Sequence, residues 1–153
     1  MTNRLELLRD KVTRMVYKNC PDEGYYFISH LYGVSGYCVL LAKRRGLDAE
    51  LAASCGLLHD IFQVTDGTTE EHAVKGAVKA ETILRSIGRY SDEEIGIITT
   101  AISRHSKKRK VHEPYDELLK DADVLEHCFH NPDYPVIEKE KQRYDNLLIE
   151  LGC

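Results

Sequence analysis

The dipeptide His59-Asp60 closes the apolar run at residues 51–58, placing an imidazole and a carboxylate side by side where a helix should end over a core. His30 lies upstream, and His72, His105 and Asp123 follow downstream at helix ends or starts. Six potential ligands on five predicted helices is the layout of a divalent-metal site. Mixed imidazole and carboxylate ligation of this kind commonly serves the hydrolysis of phosphate esters, with the ion activating water.

The elements that must position these groups read as helices throughout. Leu5, Leu8, Val12 and Met15/Val16 give the i, i+3/i+4 stripe of a first amphipathic helix, which Asn19-Cys20-Pro21-Asp22 interrupts. A second helix is expected from near Asp22 to about Arg45, with Gly46 ending it. Asp48 caps a third helix carrying Leu51, Ala52, Cys55, Leu58 and His59. Residues 63–69 are turn-like around Asp66-Gly67, and Thr69 or Glu70 opens a fourth helix ended by Gly88. Ser91-Asp92-Glu93-Glu94 is a capping box for a fifth, with Ile95, Ile98 and Ile102 on one face. After a basic loop at 106–112, Pro114 opens a sixth helix, and Pro132/Pro135 precede a last one reaching Leu151. No strand run, repeat or linker interrupts the pattern. The expected fold is all-α, a helical bundle of about six to seven helices in one domain spanning 1–153, with the site core at about 22–130 and a C-terminal helix at about 135–151.

On those helices the candidate ligands face inward. His30 is four residues before Val34, His59 four after Cys55, His105 three after Ile102, and Asp123 four after Leu119. Each has a plain structural explanation when taken singly. A lone histidine on an apolar face is often a satisfied core residue, Asp60 can end its helix, Asp123 can pair with Lys120, and His72 can be surface. Taken together, ionisable groups recurring on buried faces require partners, and one shared ion satisfies several at once. His112, His127 and His130 lie in a loop or at a polar helix end and are read as structural.

A formal net charge of −4 argues against broad binding to nucleic acid or acidic lipid. Five widely spaced cysteines without a C-x-x-C motif are neither a disulfide framework nor a zinc ribbon and point to a reducing, cytoplasmic setting. No signal peptide or membrane span is visible. Against the acidic background, Lys107 and Arg109 in the run after His105 are candidates to hold substrate phosphates, with Lys75 and Lys79 as weaker ones.

The ordered set His30, His59-Asp60, His72, His105, Asp123 resembles the HD-domain superfamily of metal-dependent phosphohydrolases. The local contexts agree: H-x-x-x-V at 30–34, C-G-L-L-H-D-I at 55–61 and L-L-K-D-A-D-V-L at 118–125. The resemblance spans about 22–130. It implies a helical bundle in which His30, His59, Asp60 and Asp123 hold one metal, Asp123 rather than Asp121 being the ligand. It further implies that His72 and His105 bind a second metal or the substrate phosphate, with Asp60 bridging the metals and orienting or deprotonating the attacking water. Mn, Fe, Co or Ni fit this ligation better than Mg or Zn. Gln63 stands where several subfamilies carry Glu or Lys three residues after the HD aspartate. The signatures of alarmone hydrolases, deoxynucleoside 5′-monophosphatases and cyclic-di-GMP phosphodiesterases are absent, and the ligand order is more like the bimetallic dinucleoside tetraphosphate hydrolases.

The expected function is therefore hydrolysis of a nucleotide or related phosphate ester or anhydride, with a small phosphorylated substrate as partner, no membrane, and a homodimer left open. The alternative is a non-catalytic HD-type module that binds a nucleotide or metal and regulates through a partner, which Gln63 favours. A nucleic-acid adaptor using 107–110 ranks lower, because no aromatic residue interleaves with that run. A purely structural helical protein ranks last.

Overall fold

Leu8, Val12 and Val16, each four residues from the next, are fully buried along one face of α1 (Arg4–Asn19), whose first turn is capped by the Asn3 side chain. The computed structural model describes residues 3–68 and 70–153. Among the described residues the chain forms α2 (Gly24–Arg45), α3 (Ala49–Leu58), α4 (Ile61–Asp66), α5 (His72–Ile87), α6 (Asp92–Arg104), α7 (Pro114–His130) and α8 (Glu138–Leu151), with no strand. The all-α class follows from the periodicity. No helix among the described residues is long and apolar enough to cross a membrane.

Local chemistry sets most boundaries. Asp48 accepts hydrogen bonds from the amides of Glu50 and Leu51 at the start of α3. Ser91 and Glu94 close the reciprocal capping box of α6. Gly46 and Gly88 end α2 and α5 in the left-handed conformation, where a side chain would be strained.

Two boundaries differ from the sequence expectation. Residues 61–66 are a short helix, α4, that the sequence merged into a turn beginning at Gln63; the left-handed residue of that turn is Gly67 alone. The expected fourth helix opens later. Thr69 lies outside the described residues, Glu70 sits in a turn, and the first helical residue is His72.

α3 is the centre of the molecule. Every residue from Leu51 to Leu58 is buried, as expected of a helix apolar on all sides. α2 and α7 pack on it, α6 covers another face, and α1 lies across it. α5 and α6 pair with each other, and α8 packs on α7. The closest crossing is between α2 and α3, where Gly56 lies against the Ser35 backbone and the Ser35 hydroxyl donates to the Ala53 carbonyl at 3.0 Å.

Candidate metal centre

This packing brings helix ends to helix middles. His59 is the C-cap of α3, Asp60 the N-cap residue of α4, His72 the first residue of α5 and His105 the C-cap of α6. They converge on His30 from the middle of α2 and Asp123 from the middle of α7. His59 is fully buried, and His105 and Asp123 nearly so, at 2% and 5% exposure.

The groups meet through particular atoms. His30 and His59 face each other with Nε2 atoms 3.1 Å apart. Asp60 Oδ2 lies 3.3 Å from each of those nitrogens, and Asp123 Oδ1 lies 3.7 and 3.5 Å from them. A second imidazole pair repeats the arrangement. The Nε2 atoms of His72 and His105 are 3.2 Å apart, and Asp60 Oδ1 lies 3.5 and 3.3 Å from them. The two oxygens of Asp60 are thus divided between two histidine pairs.

The far side of three rings is fixed. Nδ1 of His59 lies 2.8 Å from the Gly56 carbonyl, Nδ1 of His105 2.7 Å from the Ile102 carbonyl, and Nδ1 of His30 2.6 Å from Glu126 Oε2. Each of these acceptors requires a proton on Nδ1, so in the neutral ring the lone pair is on Nε2 and points into the centre. Two such lone pairs facing at 3.1 Å repel unless positive charge lies between them. Asp123 Oδ1 is also buried without a hydrogen-bond partner. A divalent cation meets both demands, and the donor set fits one.

Electrostatics agree. Burial alone would lower the His30 and His59 pKa values, but the Asp60 carboxylate, with Glu126 for His30 and Asp123 for His59, more than reverses this and raises both, while each ring's charge opposes the other's across the 3.1 Å contact. Burial pushes the two aspartates up, and the surrounding cations more than reverse it. Among the groups that lower them, His59 acts most on Asp60 and Lys108 most on Asp123, and both carboxyls fall well below the usual range. His105 is lowered, chiefly by burial. The centre strongly favours positive charge beside its two carboxylates.

Other residues complete the site. From the basic run it is Lys108 that turns inward, donating to Asp123 Oδ2 at 2.6 Å and to the His105 carbonyl at 2.7 Å. Lys107 is exposed, and Arg109 is exposed with Glu138 at 3.5 Å. Lys120, weighed as a partner for Asp123, turns instead to Glu117, His112 and the Lys110 carbonyl. Asp121 is taken by Arg45 and Arg143. His127, read as structural from the sequence, lines the site cleft and stacks on His30 with centroids 5.5 Å apart. Its position one turn after Asp123 was the available signal. The cleft has a volume of about 240 Å³, with Gln63, Lys108 and Tyr26 among its lining residues, and Gln63 donates to Asp60 Oδ1 at 3.2 Å.

Comparison with known proteins points the same way. Residues 27–127 match the HD domain family. The chain is 31% identical over 102 residues to ribonuclease Y of Chlorobium phaeovibrioides (strain DSM 265 / 1930), a match covering 67% of this chain and 18% of that protein. It therefore spans about a fifth of the length of that curated relative. The fold resembles the crystal structure of a predicted HD superfamily hydrolase from an uncultured Thermotogales bacterium, with a TM-score of 0.66, 22% identity, and coverage of 94% of this chain and 88% of that one. The matched span runs from Phe27 to His127, and all six candidate ligands lie within it. The chain belongs to the HD-domain family.

Proposed function

We propose that this chain is a metal-dependent phosphohydrolase acting on a nucleotide or related phosphate ester or anhydride. The observation that carries this reading is the division of Asp60, one oxygen toward His30 and His59 and the other toward His72 and His105. His30, His59, Asp60 and Asp123 would hold one divalent ion. His72 and His105 would hold a second or receive the substrate phosphate, with Asp60 shared. Mn, Fe, Co or Ni suit these donors better than Mg or Zn. When bound, such ions acidify water and neutralise phosphate charge in the transition state.

The chain's own groups do the rest. Asp60 would orient the attacking water or take its proton. Lys108 keeps Asp123 ionised and directed inward. Gln63 fixes the rotation of Asp60 through its amide. Lys107 and Arg109 are available to the part of a substrate that extends beyond the cleft. The relative's name, ribonuclease Y, adds an RNA phosphodiester to the substrates worth testing.

The test is phosphate release from nucleotides, simple phosphate esters and a short RNA with Mn²⁺, Co²⁺, Ni²⁺ or Mg²⁺, comparing the natural chain with Asp60→Ala. Metal-dependent turnover that disappears in the variant is expected. Metal binding without turnover on any substrate would instead favour the non-catalytic binding module.

A further inference from the structure

His127 repeats the construction of the site's other histidines, with its support coming from beyond the family match. Its Nδ1 lies 3.0 Å from Glu140 Oε1, as His30 Nδ1 is held by Glu126 and those of His59 and His105 by carbonyls. Its Nε2 lies 3.4 Å from Asp123 Oδ1, the buried oxygen that accepts no hydrogen bond. The His127 ring is parallel to that of His30 within 9°. Asp123 and His127 are four residues apart on α7, so one helix face presents both donors.

Glu140 explains the ring's orientation. It belongs to α8, outside residues 27–127, and is only 2% exposed. A carboxylate buried to that degree needs a donor, and His127 supplies one. A carboxylate behind a histidine ring is the arrangement that orients a metal-ligating imidazole and raises its basicity.

We infer that His127 is a further ligand to the ion held at Asp123, aimed by α8 through Glu140. The inference rests on the proposed metal centre. Two pairings outside the centre, Glu140 with His127 and Arg143 with the Lys108 carbonyl at 2.8 Å, make α8 a support for the site as well as a cover for α7.

Co²⁺ binding to the whole chain tests this without reference to activity, by chelator competition and by the visible absorption of the bound ion. His127 is 44% exposed at its side chain, so His127→Ala opens no core cavity; it does leave the buried Glu140 without its donor, a cost that the metal-free melting curve measures separately. The expected result is at least about tenfold weaker binding in His127→Ala, a changed Co²⁺ spectrum, and a smaller loss in Glu140→Gln. Unchanged affinity and spectrum in His127→Ala, with tight binding by the natural chain, overturns the inference and leaves the metal centre standing. If the natural chain binds no Co²⁺, or His59→Ala binds as tightly as it does, the centre itself fails and the inference with it.

Discussion

A Cβ added to Gly56 would lie 2.6 Å from the Cα of Ser35, closer than real side chains approach a backbone. The contact is backbone against backbone, so no rotamer change relieves it. Gly56 is also the residue whose carbonyl holds His59. Gly56→Ala should therefore cost about 3 kcal/mol or more, at or above the upper end of overpacking penalties. It should also weaken metal binding by turning His59. Denaturant unfolding and a Co²⁺ titration measure the two effects, and a loss of stability with unchanged affinity would separate the crossing from the site.

Asp60→Ala should abolish stabilisation by metal. In the natural chain, an ion at a hundred times its dissociation constant adds about 2.7 kcal/mol. Melting curves with and without Mn²⁺ should separate for the natural chain and coincide for the variant.

Lys108→Met should destabilise the metal-free chain by about 3 kcal/mol, because it leaves the buried Asp123 carboxylate without its ammonium partner. A bound cation compensates the same charge, so the deficit should narrow when Mn²⁺ is added. An equal deficit in both conditions would mean that Lys108 acts by packing alone.

Glu71 adopts φ 51°, the one positive value at a non-glycine residue among those described, immediately before His72. The left-handed region costs most residues roughly 1–2 kcal/mol, and asparagine tolerates it better. Glu71→Asn should raise stability by about 1 kcal/mol, read as a higher urea midpoint with unchanged slope. The pair with Lys75 that it removes is exposed and worth little.

Acid should weaken the junction of α1 with α3 and α6. Arg4 donates to both oxygens of Glu94 at 2.7 and 2.8 Å and also pairs with Glu50. The Arg4 guanidinium lowers the Glu94 pKa to about 2. A folded-state pKa below the unfolded value contributes stability above about pH 4.5 that is lost as pH falls toward 2. Comparison with Glu94→Gln at pH 6, 4 and 3 should show a difference of about 1 kcal/mol or less, given solvent screening, that shrinks as the pH drops.

The helices were legible wherever local chemistry set their limits: Asp48, Ser91, Gly46 and Gly88 each act on neighbouring backbone. α4 was not, because six residues give no periodic signal and its closing Gly67 resembles the centre of a plain turn. The candidate ligands could be named because ionisable residues on inward faces are conspicuous. Lys108 could not be told from its neighbours in a run of four cations. Its inward turn follows from the loop between α6 and α7, held where Arg143 of α8 grips the Lys108 carbonyl. The place of His127 in the cleft was not legible for a similar reason, since the carboxylate that holds its ring lies on another helix.

The C-terminal ends of α3 and α6 each supply both a candidate ligand and its anchor, three residues apart. Their side chains are set by the same hydrogen-bonded turns that close the helices, and the apolar core beneath them is built mainly of Leu, Ile, Val and Ala. Folding would thus precede capture of the proposed ions. A chelator should strip the centre without melting the bundle, and re-addition should restore it without refolding. Under the proposed function, exchange of one ion for another would follow supply in the surroundings, with the scaffold acting as a socket.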